Sequence, residues 1–401
     1  MTTTLTSRLL KSEGNLFQTI KVWTVAAAEK GIKIIKLSIG QPSGPALESA
    51  CKAAAEAVTS TSETMHEYQD NGSPGVPEFA RQFVSYHVSQ GFPLMSKNVD
   101  YLPVPGLKSM LGLIPLACGA SKNRTISVST TTNPGYPTPA YWCNILPGIA
   151  HRAIRLSPEN SFLFNTNSVE MPSRDGLIMM NYPHNPSGKG TNGNWLRRVC
   201  RFAADNKIRI FNDAAYAILK HEPNHRNLAD IAVEFPNLSW AEGFSASKAI
   251  RNGTGWRVGA IVGSPDFVAD IARIKGDADS GFVAFAAAGV LHAFANDFIS
   301  IVNNCLMYER RLKVLVSNLK GLGMQLAVKP EAGFFTLWLT PKKAFGQDVN
   351  DAEHFNRLMI EKTGVVGVHF NPDYIRYAVT SDVEEMMPDI CEAFIQANVS
   401  Y

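Results

Sequence analysis

The fold is decided by residues 177–213, which read LIMM-NYPHNPSGKGTNG-NWLRRVCRFAADNK-IRIFND. Apolar runs at Leu177–Tyr182 and Ile208–Asn212 have the length of buried strands. Between them, the apolar residues of Asn194–Asn206 recur with the spacing of one helix face. This strand–helix–strand order predicts a parallel βαβ unit, and therefore a sheet covered by helices on both faces.

Further strands are predicted on either side of this unit, at Thr125–Thr130, Ala241–Ser245 and Val258–Gly263. Together they predict an α/β fold with a large, doubly wound, mostly parallel sheet. In such sheets the loops at the carboxyl ends of the strands hold the ligand. We therefore look for functional residues at those strand ends.

The chain is long enough for two packed units, since one core rarely serves 401 residues. A continuously helical pattern from about Phe282 to Leu319 is followed by a smaller α+β region with strands at Phe334–Leu339 and Ile375–Val379. We predict an N-terminal arm that forms part of a small domain (1–44) and a large domain (45–290). An interdomain helix and the C-terminal small domain would follow (291–401).

Composition excludes several classes of function. The 38 basic and 35 acidic residues leave a net charge of +3 without long charged runs, which is not the footprint of a nucleic-acid binder. Six cysteines without a C-x-x-C pair and nine histidines without a ligand pattern predict no metal site and a reducing compartment. The longest apolar stretch, Phe282–Ala295, is too short for a membrane span, and residues 1–10 do not read as a signal peptide. We expect a cytoplasmic protein.

Three motifs follow predicted strands, and each is ordinary by itself. Asn185-Pro-Ser-Gly188 reads as a turn, and Asp213, three residues before Tyr216, as a helix cap. A single lysine such as Lys248 is usually a solvated surface group. Ser-Ala-Ser-Lys248 followed by Gly-Trp-Arg257-Val-Gly is nevertheless unusual for a surface, because small residues surround both cations.

Together the motifs match the needs of one cofactor, pyridoxal 5'-phosphate. Its aldehyde forms a Schiff base with a lysine, here Lys248, and its ring nitrogen stays protonated beside a carboxylate, here Asp213. The phenolic oxygen of the cofactor needs hydrogen-bond donors, its phosphate needs a cation and hydroxyl groups, and its ring face needs an aromatic side chain packed against it. The chain supplies candidates for these in order: Tyr216 and Asn185 for the phenolic oxygen, Arg257 and Ser245 for the phosphate, and Tyr136 for the ring face.

With these motifs the chain resembles the fold-type I, class I/II pyridoxal-phosphate aminotransferases nearly end to end. The resemblance includes a late arginine in Tyr374-Ile-Arg-Tyr377 and the segment Ser38-Ile-Gly-Gln-Pro42. It implies that Lys248 is the cofactor lysine and the catalytic acid/base, and that Arg376 clamps the substrate α-carboxylate.

The resemblance implies two further sets of residues. The cofactor-binding set is Tyr68, Gly106, Leu107, Lys108, Tyr136, Asn185, Asp213, Tyr216, Ser245, Ser247, Lys248 and Arg257. The substrate-binding set is Gly40, Asn185 and Arg376. Tyr68 resembles the tyrosine that reaches the phosphate in the partner subunit, which implies a homodimer with the active site at the interface.

Within that family, Asn15–Ile20, Gly106–Lys108 and Asp279–Gly281 resemble the LL-diaminopimelate aminotransferase branch. Three features depart from the pattern. Asn15 replaces a tyrosine, Arg257 follows Lys248 by nine residues instead of eight, which implies a small bulge, and Val368–Asp373 replaces a glycine-rich loop.

The predicted reaction is amino transfer from an L-amino acid, with LL-diaminopimelate, glutamate, aspartate and alanine as candidates, to a 2-oxo acid such as 2-oxoglutarate. A pyridoxal-phosphate lyase or decarboxylase would share the same core residues, and a non-catalytic sensor is a remote third option. Lys275, Arg226 and Arg81 could each bind a distal carboxylate, but we expect them to be solvated charges.

Overall fold

The computed structural model describes residues 16–169 and 176–401. Its α-helices are α1 Leu16–Glu29, α2 Glu48–Val58, α3 Phe79–Ser85, α4 Leu107–Met110, α5 Ile114–Ala117, α6 Thr138–Ile145, α7 Gly193–Asn206, α8 Leu228–Ala232, α9 Pro265–Gly276, α10 Ala284–Asn296, α11 Phe298–Gly321, α12 Ala352–Thr363 and α13 Met387–Ala397. Its strands are β1 Ile35–Lys36, β2 Asp100–Val104, β3 Ile126–Asn133, β4 Ile149–Arg155, β5 Leu177–Met180, β6 Arg209–Asp213, β7 Trp240–Ser245, β8 Gly259–Gly263, β9 Leu326–Val328, β10 Phe335–Leu339, β11 Lys343–Ala344, β12 Gln347–Asp348, β13 Val365–Val366, β14 Val368–Phe370 and β15 Tyr374–Ala378.

A seven-stranded sheet organises the larger part of the chain, with the strand order β2-β8-β7-β6-β5-β3-β4. All neighbouring pairs are parallel except those that β8 makes with β2 and β7. The predicted mostly parallel sheet is therefore confirmed, with β8 as the reversed strand. Its central strands β5 and β7 are buried along their whole length, as expected for a sheet covered on both faces.

Helices cover both faces of this sheet and create two apolar cores. One core contains buried residues of α2, α3, α7, α8 and α10. The other contains buried residues of α4, α5, α6 and α9. This two-sided cover leaves the ends of the strands as the open edges, where polar side chains can meet a ligand.

A smaller antiparallel sheet, in the order β14-β15-β10-β9, lies in the last part of the chain. It shares a separate core with α11, α12 and α13 that includes Tyr308, Trp338, Phe355 and Phe394. The early strand β1 pairs in parallel with β13 through Ile35 and Val365, so the N-terminal segment joins the C-terminal one. The division at 44/45 and 290/291 stays a prediction.

The helical stretch predicted from Phe282 to Leu319 is not continuous. It breaks at Asp297, and α10 and α11 meet at an angle of 85°. Asp297 adopts a non-helical backbone, and its carboxylate accepts a hydrogen bond from Ser49 Oγ at 2.6 Å. Asparagine and aspartate are poor residues for a helix interior, and this contact with α2 fixes the break there.

Within the described residues, no single helix has both the length and the apolar character of a membrane span. The helices α10 and α11 reach these limits only as a bent pair.

Candidate active site

A cavity of about 210 Å³ opens at the carboxyl ends of β5, β6 and β7. It is lined by Phe17, Gly40, Leu107, Lys108, Tyr136, Asn181, Asn185, Asp213, Ala215, Tyr216, Ser245, Ser247, Lys248, Thr254, Arg257 and Arg376. The structure thus brings together every predicted site residue except Gly106 and Tyr68. Gly106 lies directly behind this lining, whereas Tyr68 lies elsewhere on the surface.

Asp213 ends β6 and is buried in the wall of the cavity. Its Oδ1 has no hydrogen-bond partner among the described residues. Burial raises the pKa of Asp213 to about 6, against the opposing effects of the Lys248 charge and of the Ala215 backbone N–H. The carboxylate is therefore held in an environment that favours a cationic partner.

Lys248 follows β7 by three residues, in a turn that directs it into the cavity. Its Nζ lies 5.5 Å from the centre of the Tyr216 ring. Burial lowers the pKa of Lys248 to about 8; the Asp213 charge works against this shift, and the charges of Arg257 and Lys108 add to it. A lysine with this pKa has a far larger neutral, nucleophilic fraction at physiological pH than a solvated lysine.

Arg376 comes from β15 of the small sheet and reaches the same cavity. It donates from Nη1 to Asn185 Oδ1 at 2.8 Å and from Nη2 to the Ser38 carbonyl oxygen at 2.8 Å. Its guanidinium also lies 4.2 Å from the centre of the Phe335 ring. Burial lowers the pKa of Arg376 to about 10, and its Nε has no partner among the residues described. This cation is fixed in orientation, and no carboxylate neutralises it in the described structure.

Arg257 forms another wall of the cavity, and Gly106 packs behind it. A Cβ atom at position 106 would lie 2.2 Å from Arg257 Nη2, and Gly106 has a φ of +78°, so this close approach needs glycine. Ser245 and Ser247 are both buried nearby, with the Ser247 N–H donating to Ser245 Oγ at 3.2 Å.

The bulge predicted between Lys248 and Arg257 is not in the sheet. Strands β7 and β8 pair in unbroken register up to Ser245 and Gly259. The additional residue lies in the connecting turn, where Arg251 and Arg257 have left-handed φ values of 58° and 55°. The Arg257 side chain is held there by a 2.9 Å hydrogen bond from Nη1 to the Thr254 carbonyl.

The segment Val368–Asp373 forms strand β14 and a short turn into β15. Val368 pairs with Arg376, so this segment braces the strand that carries the arginine. Asn15 lies outside the described residues.

Tyr68 is 78% exposed and does not line this cavity. Its loop is braced by Lys275, which was expected to be solvated. The Lys275 side chain is instead buried, and its Nζ donates to Asp279 Oδ1 at 2.7 Å, to Asn71 Oδ1 at 3.1 Å and to the Asp70 carbonyl at 3.3 Å. The expectation failed because a buried ammonium is stable when all three of its donors are satisfied.

Four lining residues were not predicted: Phe17, Asn181, Ala215 and Thr254. Asn181 opens the motif that contains Asn185 and directly follows a strand, so its position was a usable signal. Ala215 lies between two predicted residues in the Asp-x-x-Tyr motif. Phe17 lies in the segment Asn15–Ile20, whose resemblance to the LL-diaminopimelate aminotransferase branch was a usable signal, whereas Thr254 carries no pattern that separates it from ordinary turn residues.

The cavity fits pyridoxal phosphate by the chemistry of its donors. Asp213 offers an unpartnered buried carboxylate oxygen, which suits a protonated ring nitrogen. Arg257 packs closely against Gly106 and lines the cavity together with Ser245 and Ser247. A guanidinium and two hydroxyls suit a phosphate. Lys248 supplies the amine that the aldehyde requires.

Comparison with known proteins agrees with this chemistry. Residues 32–394 match the family described as aminotransferase class I and II. An LL-diaminopimelate aminotransferase from Syntrophobacter fumaroxidans is 28% identical over 92% of this chain and 93% of its own length. One with the same name from Dehalococcoides mccartyi is 25% identical over 97% of both chains.

Solved structures share the fold at lower identity. A probable N-succinyldiaminopimelate aminotransferase from Thermus thermophilus has a TM-score of 0.80 at 21% identity, covering 95% of this chain and 100% of that one. The Thermus thermophilus aspartate aminotransferase with maleate has a TM-score of 0.78 at 18% identity, covering 97% and 100%.

The doubly wound sheet with its cavity at the strand ends is the architecture of the fold-type I, pyridoxal-phosphate-dependent transferases. The chain belongs to the aminotransferases of class I and II within them, and it is a pyridoxal-phosphate-dependent aminotransferase. The lyase and sensor alternatives are not favoured, since the family and the relatives named above are aminotransferases.

Proposed function

We propose that the protein moves the amino group of an L-amino acid to a 2-oxo acid, with 2-oxoglutarate as a candidate acceptor. LL-diaminopimelate is the first donor to test, because the relatives from Syntrophobacter and Dehalococcoides carry that name. Glutamate, aspartate and alanine are the other candidates. The observation that carries the proposal is the meeting of Lys248, Asp213 and Arg376 in one cavity, since amino transfer needs a base, an electron sink and a carboxylate clamp.

Arg376 binds the α-carboxylate of the substrate in this proposal. Of its five N–H donors, the bonds to Asn185 and Ser38 use two, which leaves about three for a bound oxygen pair. Gly40 packs against Phe335, the ring that Arg376 also contacts, and in this proposal its backbone contributes to the same carboxylate site. Fixing the carboxylate in this way orients the Cα–H bond toward the base.

Lys248 moves the proton. Its lowered pKa gives a neutral amine that can take the proton from the substrate Cα and later return it, without a large energy cost in either direction. Bound pyridoxal phosphate supplies the electron sink for the charge that this proton transfer leaves. Asp213 keeps the ring nitrogen protonated, because its buried Oδ1 has no other hydrogen-bond partner among the described residues.

The remaining cofactor contacts follow from the predicted roles. Tyr216 and Asn185 donate to the phenolic oxygen, and Tyr136 covers the ring face. The phosphate is bound by Arg257 and the residues around it: Gly106, Leu107, Lys108, Ser245 and Ser247.

We further propose that the enzyme is a cytoplasmic homodimer in which Tyr68 completes the partner's phosphate site. Tyr68 is exposed and outside its own cavity, and its loop is tied to the segment before α10 by a 3.0 Å hydrogen bond from the Asp70 N–H to the Ser280 carbonyl. Exposed apolar residues follow at Val283, Phe298 and Ile299. Exposed apolar side chains of this kind suit a subunit interface.

The test is an absorbance spectrum of the purified protein with pyridoxal phosphate, recorded before and after each candidate donor. We expect the band of the bound aldehyde form to disappear with the true donor and to return when 2-oxoglutarate is added. A band that persists with every donor, or that disappears without release of an oxo acid, would contradict amino transfer and support lyase chemistry.

A further inference from the structure

Asn181 connects two parts of the cavity through its side-chain amide. Its Nδ2 donates to the backbone carbonyl of Asp213 at 2.8 Å, and its Oδ1 accepts from the backbone N–H of Asn185 at 3.1 Å. The residue is 5% exposed and also lines the cavity. One buried side chain therefore bonds directly to the backbones of two predicted site residues that are 28 positions apart.

The amide group suits this position because it offers one donor and one acceptor on the same planar group. A carboxylate would keep the acceptor but set an oxygen against the Asp213 carbonyl, and an apolar side chain would supply neither bond. Asn181 is itself fixed, since its backbone N–H donates to Thr131 Oγ1 at 3.0 Å. Thr131, near the carboxyl end of β3, thereby fixes the backbone that carries the Asn181 side chain.

The connection extends to the substrate side of the cavity. Asn185, whose backbone Asn181 holds, accepts the 2.8 Å hydrogen bond from Arg376 Nη1 with its side chain. A continuous path therefore runs from the Asp213 backbone through Asn181 and Asn185 to the guanidinium of Arg376. Both ends of this path are unsatisfied within the described residues, at Asp213 Oδ1 and Arg376 Nε.

We propose that Asn181 is a positioning residue that fixes the position of the Asp213 carboxylate relative to the Arg376 guanidinium. Asp213 would then face the cofactor ring nitrogen while Arg376 faces the substrate carboxylate, so that one amide aligns both binding groups. The proposal rests on the roles of Asp213 and Arg376 given above.

The chain offers a matched control in Asn356, a buried asparagine outside the cavity with 0% exposure. Its amide also makes two bonds to backbone: it donates to the Gly367 carbonyl at 3.1 Å and accepts from the Gly367 N–H at 3.0 Å. Its Nδ2 also lies 3.3 Å from His369 Nδ1, so Asn356→Ala removes the same two bonds to backbone and one side-chain contact in addition. It reports what such a loss does to stability alone.

The experiment compares wild type, Asn181→Ala and Asn356→Ala in three measurements: melting temperature, Kd for pyridoxal phosphate, and kcat and KM for the donor. We expect both variants to melt at lower temperature. Only Asn181→Ala should raise the Kd for pyridoxal phosphate and the donor KM, each roughly fivefold, because each constant loses the support of one net hydrogen bond of about 1 kcal/mol. Asn356→Ala should leave both constants within about twofold of wild type.

Asn181→Asp, whose side chain has the same shape, distinguishes the effect of the bond to Asp213 from that of the bond to Asn185. It also replaces the alanine variant in the experiment if that variant does not fold. It keeps the acceptor for the Asn185 N–H, so the donor KM should change less than the Kd for pyridoxal phosphate. The proposal is wrong if Asn181→Ala loses stability as Asn356→Ala does but keeps both binding constants, or if Asn181→Asp keeps its affinity for the cofactor. A wild-type protein that binds the cofactor but transfers no amino group would instead contradict the proposed reaction.

Discussion

Arg376 donates from Nη1 to Asn185 Oδ1 at 2.8 Å across a sequence separation of 191 residues. This bond joins β15 of the small sheet to the turn after β5 of the large sheet. The arrangement proposed to hold the substrate carboxylate therefore requires both sheets. Neither segment contributes both Arg376 and Asn185.

The first prediction concerns this arginine. Arg376→Lys should raise the donor KM by roughly 10–100-fold with a smaller change in kcat, because lysine cannot reproduce a planar, two-point grip on a carboxylate. Steady-state kinetics with each donor measures the split. Arg197→Lys is the control, since Arg197 makes an exposed bidentate pair with Glu234 at 2.8 Å, away from the cavity. Unchanged kinetics in Arg376→Lys would move the clamp to another residue.

The second prediction concerns the base. Lys248→Ala should lower kcat by roughly 10²–10⁴-fold or more, because the residue that moves the proton is missing. The variant should still bind pyridoxal phosphate, through the phosphate and ring-nitrogen contacts, but without covalent attachment. Stopped-flow turnover and a cofactor-retention assay measure the two effects. Lys329→Ala, at an exposed salt bridge with Glu222, should behave as wild type. Near-normal turnover in Lys248→Ala would contradict the mechanism.

Seven of the described strands, β3, β5, β6, β7, β8, β10 and β15, could be predicted from the sequence to within three residues at each end, because buried strands are short apolar runs bounded by polar turns. The edge strands β2 and β4 of the large sheet were not predicted. The run predicted at Ala241–Ser245 is β7, Trp240–Ser245, and the one at Ile208–Asn212 is β6, Arg209–Asp213. The break at Asp297 could not be predicted in this way, since α10 is apolar on nearly every face. Its contact with Ser49 joins residues that are distant in sequence.

The polar residues of the cavity could be predicted where their chemistry is distinctive. Lys248, Asp213 and Arg376 carry charge in apolar or glycine-rich surroundings, and a charge in such a place stands out in a sequence. Asn181 was missed as a site residue because its partners are backbone atoms of Asp213 and Asn185. Its place after a strand, at the start of the motif that contains Asn185, was a signal, but the bonds themselves become apparent only when the strands are side by side.

The third prediction concerns the cost of the Asp213 charge in the cofactor-free protein. The folded pKa of about 6 lies above the usual 3.8, so the folded state holds a proton that the unfolded chain releases between about pH 4 and pH 6. Stability therefore falls as pH rises through this window, and the loss is complete above pH 6. Asp213→Asn removes the charge. It should raise the free energy of unfolding by up to about 3 kcal/mol at pH 7, with little gain at pH 4.

Chemical denaturation of the cofactor-free variant and wild type at both pH values measures this difference. The same substitution should weaken pyridoxal phosphate binding, so the gain in stability comes with a loss of function. Asp205→Asn, at an exposed position, should show no pH-dependent gain. A variant that is less stable than wild type at pH 7 would show that the Lys248 charge and the Ala215 N–H stabilise the carboxylate by more than its burial costs.

The fourth prediction tests whether the cavity is shared between subunits. Tyr68→Phe removes the hydroxyl proposed to reach the partner's phosphate, and should raise the Kd for pyridoxal phosphate by roughly 10–100-fold. In a mixed dimer, one subunit carries Tyr68→Phe and the other carries Lys248→Ala. If Tyr68 serves the partner's site, one of the two sites then lacks both the Tyr68 hydroxyl and the Lys248 amine, and the other site has both. Random mixing should therefore restore about a quarter of the wild-type activity, at a cofactor concentration that saturates wild type and leaves Tyr68→Phe mostly empty. Activity equal to the mean of the separate variants, or a monomer by sedimentation, would show that Tyr68 does not serve a neighbouring site. Tyr141→Phe, at a tyrosine that is also exposed, should bind the cofactor as wild type does and restore nothing beyond its own activity.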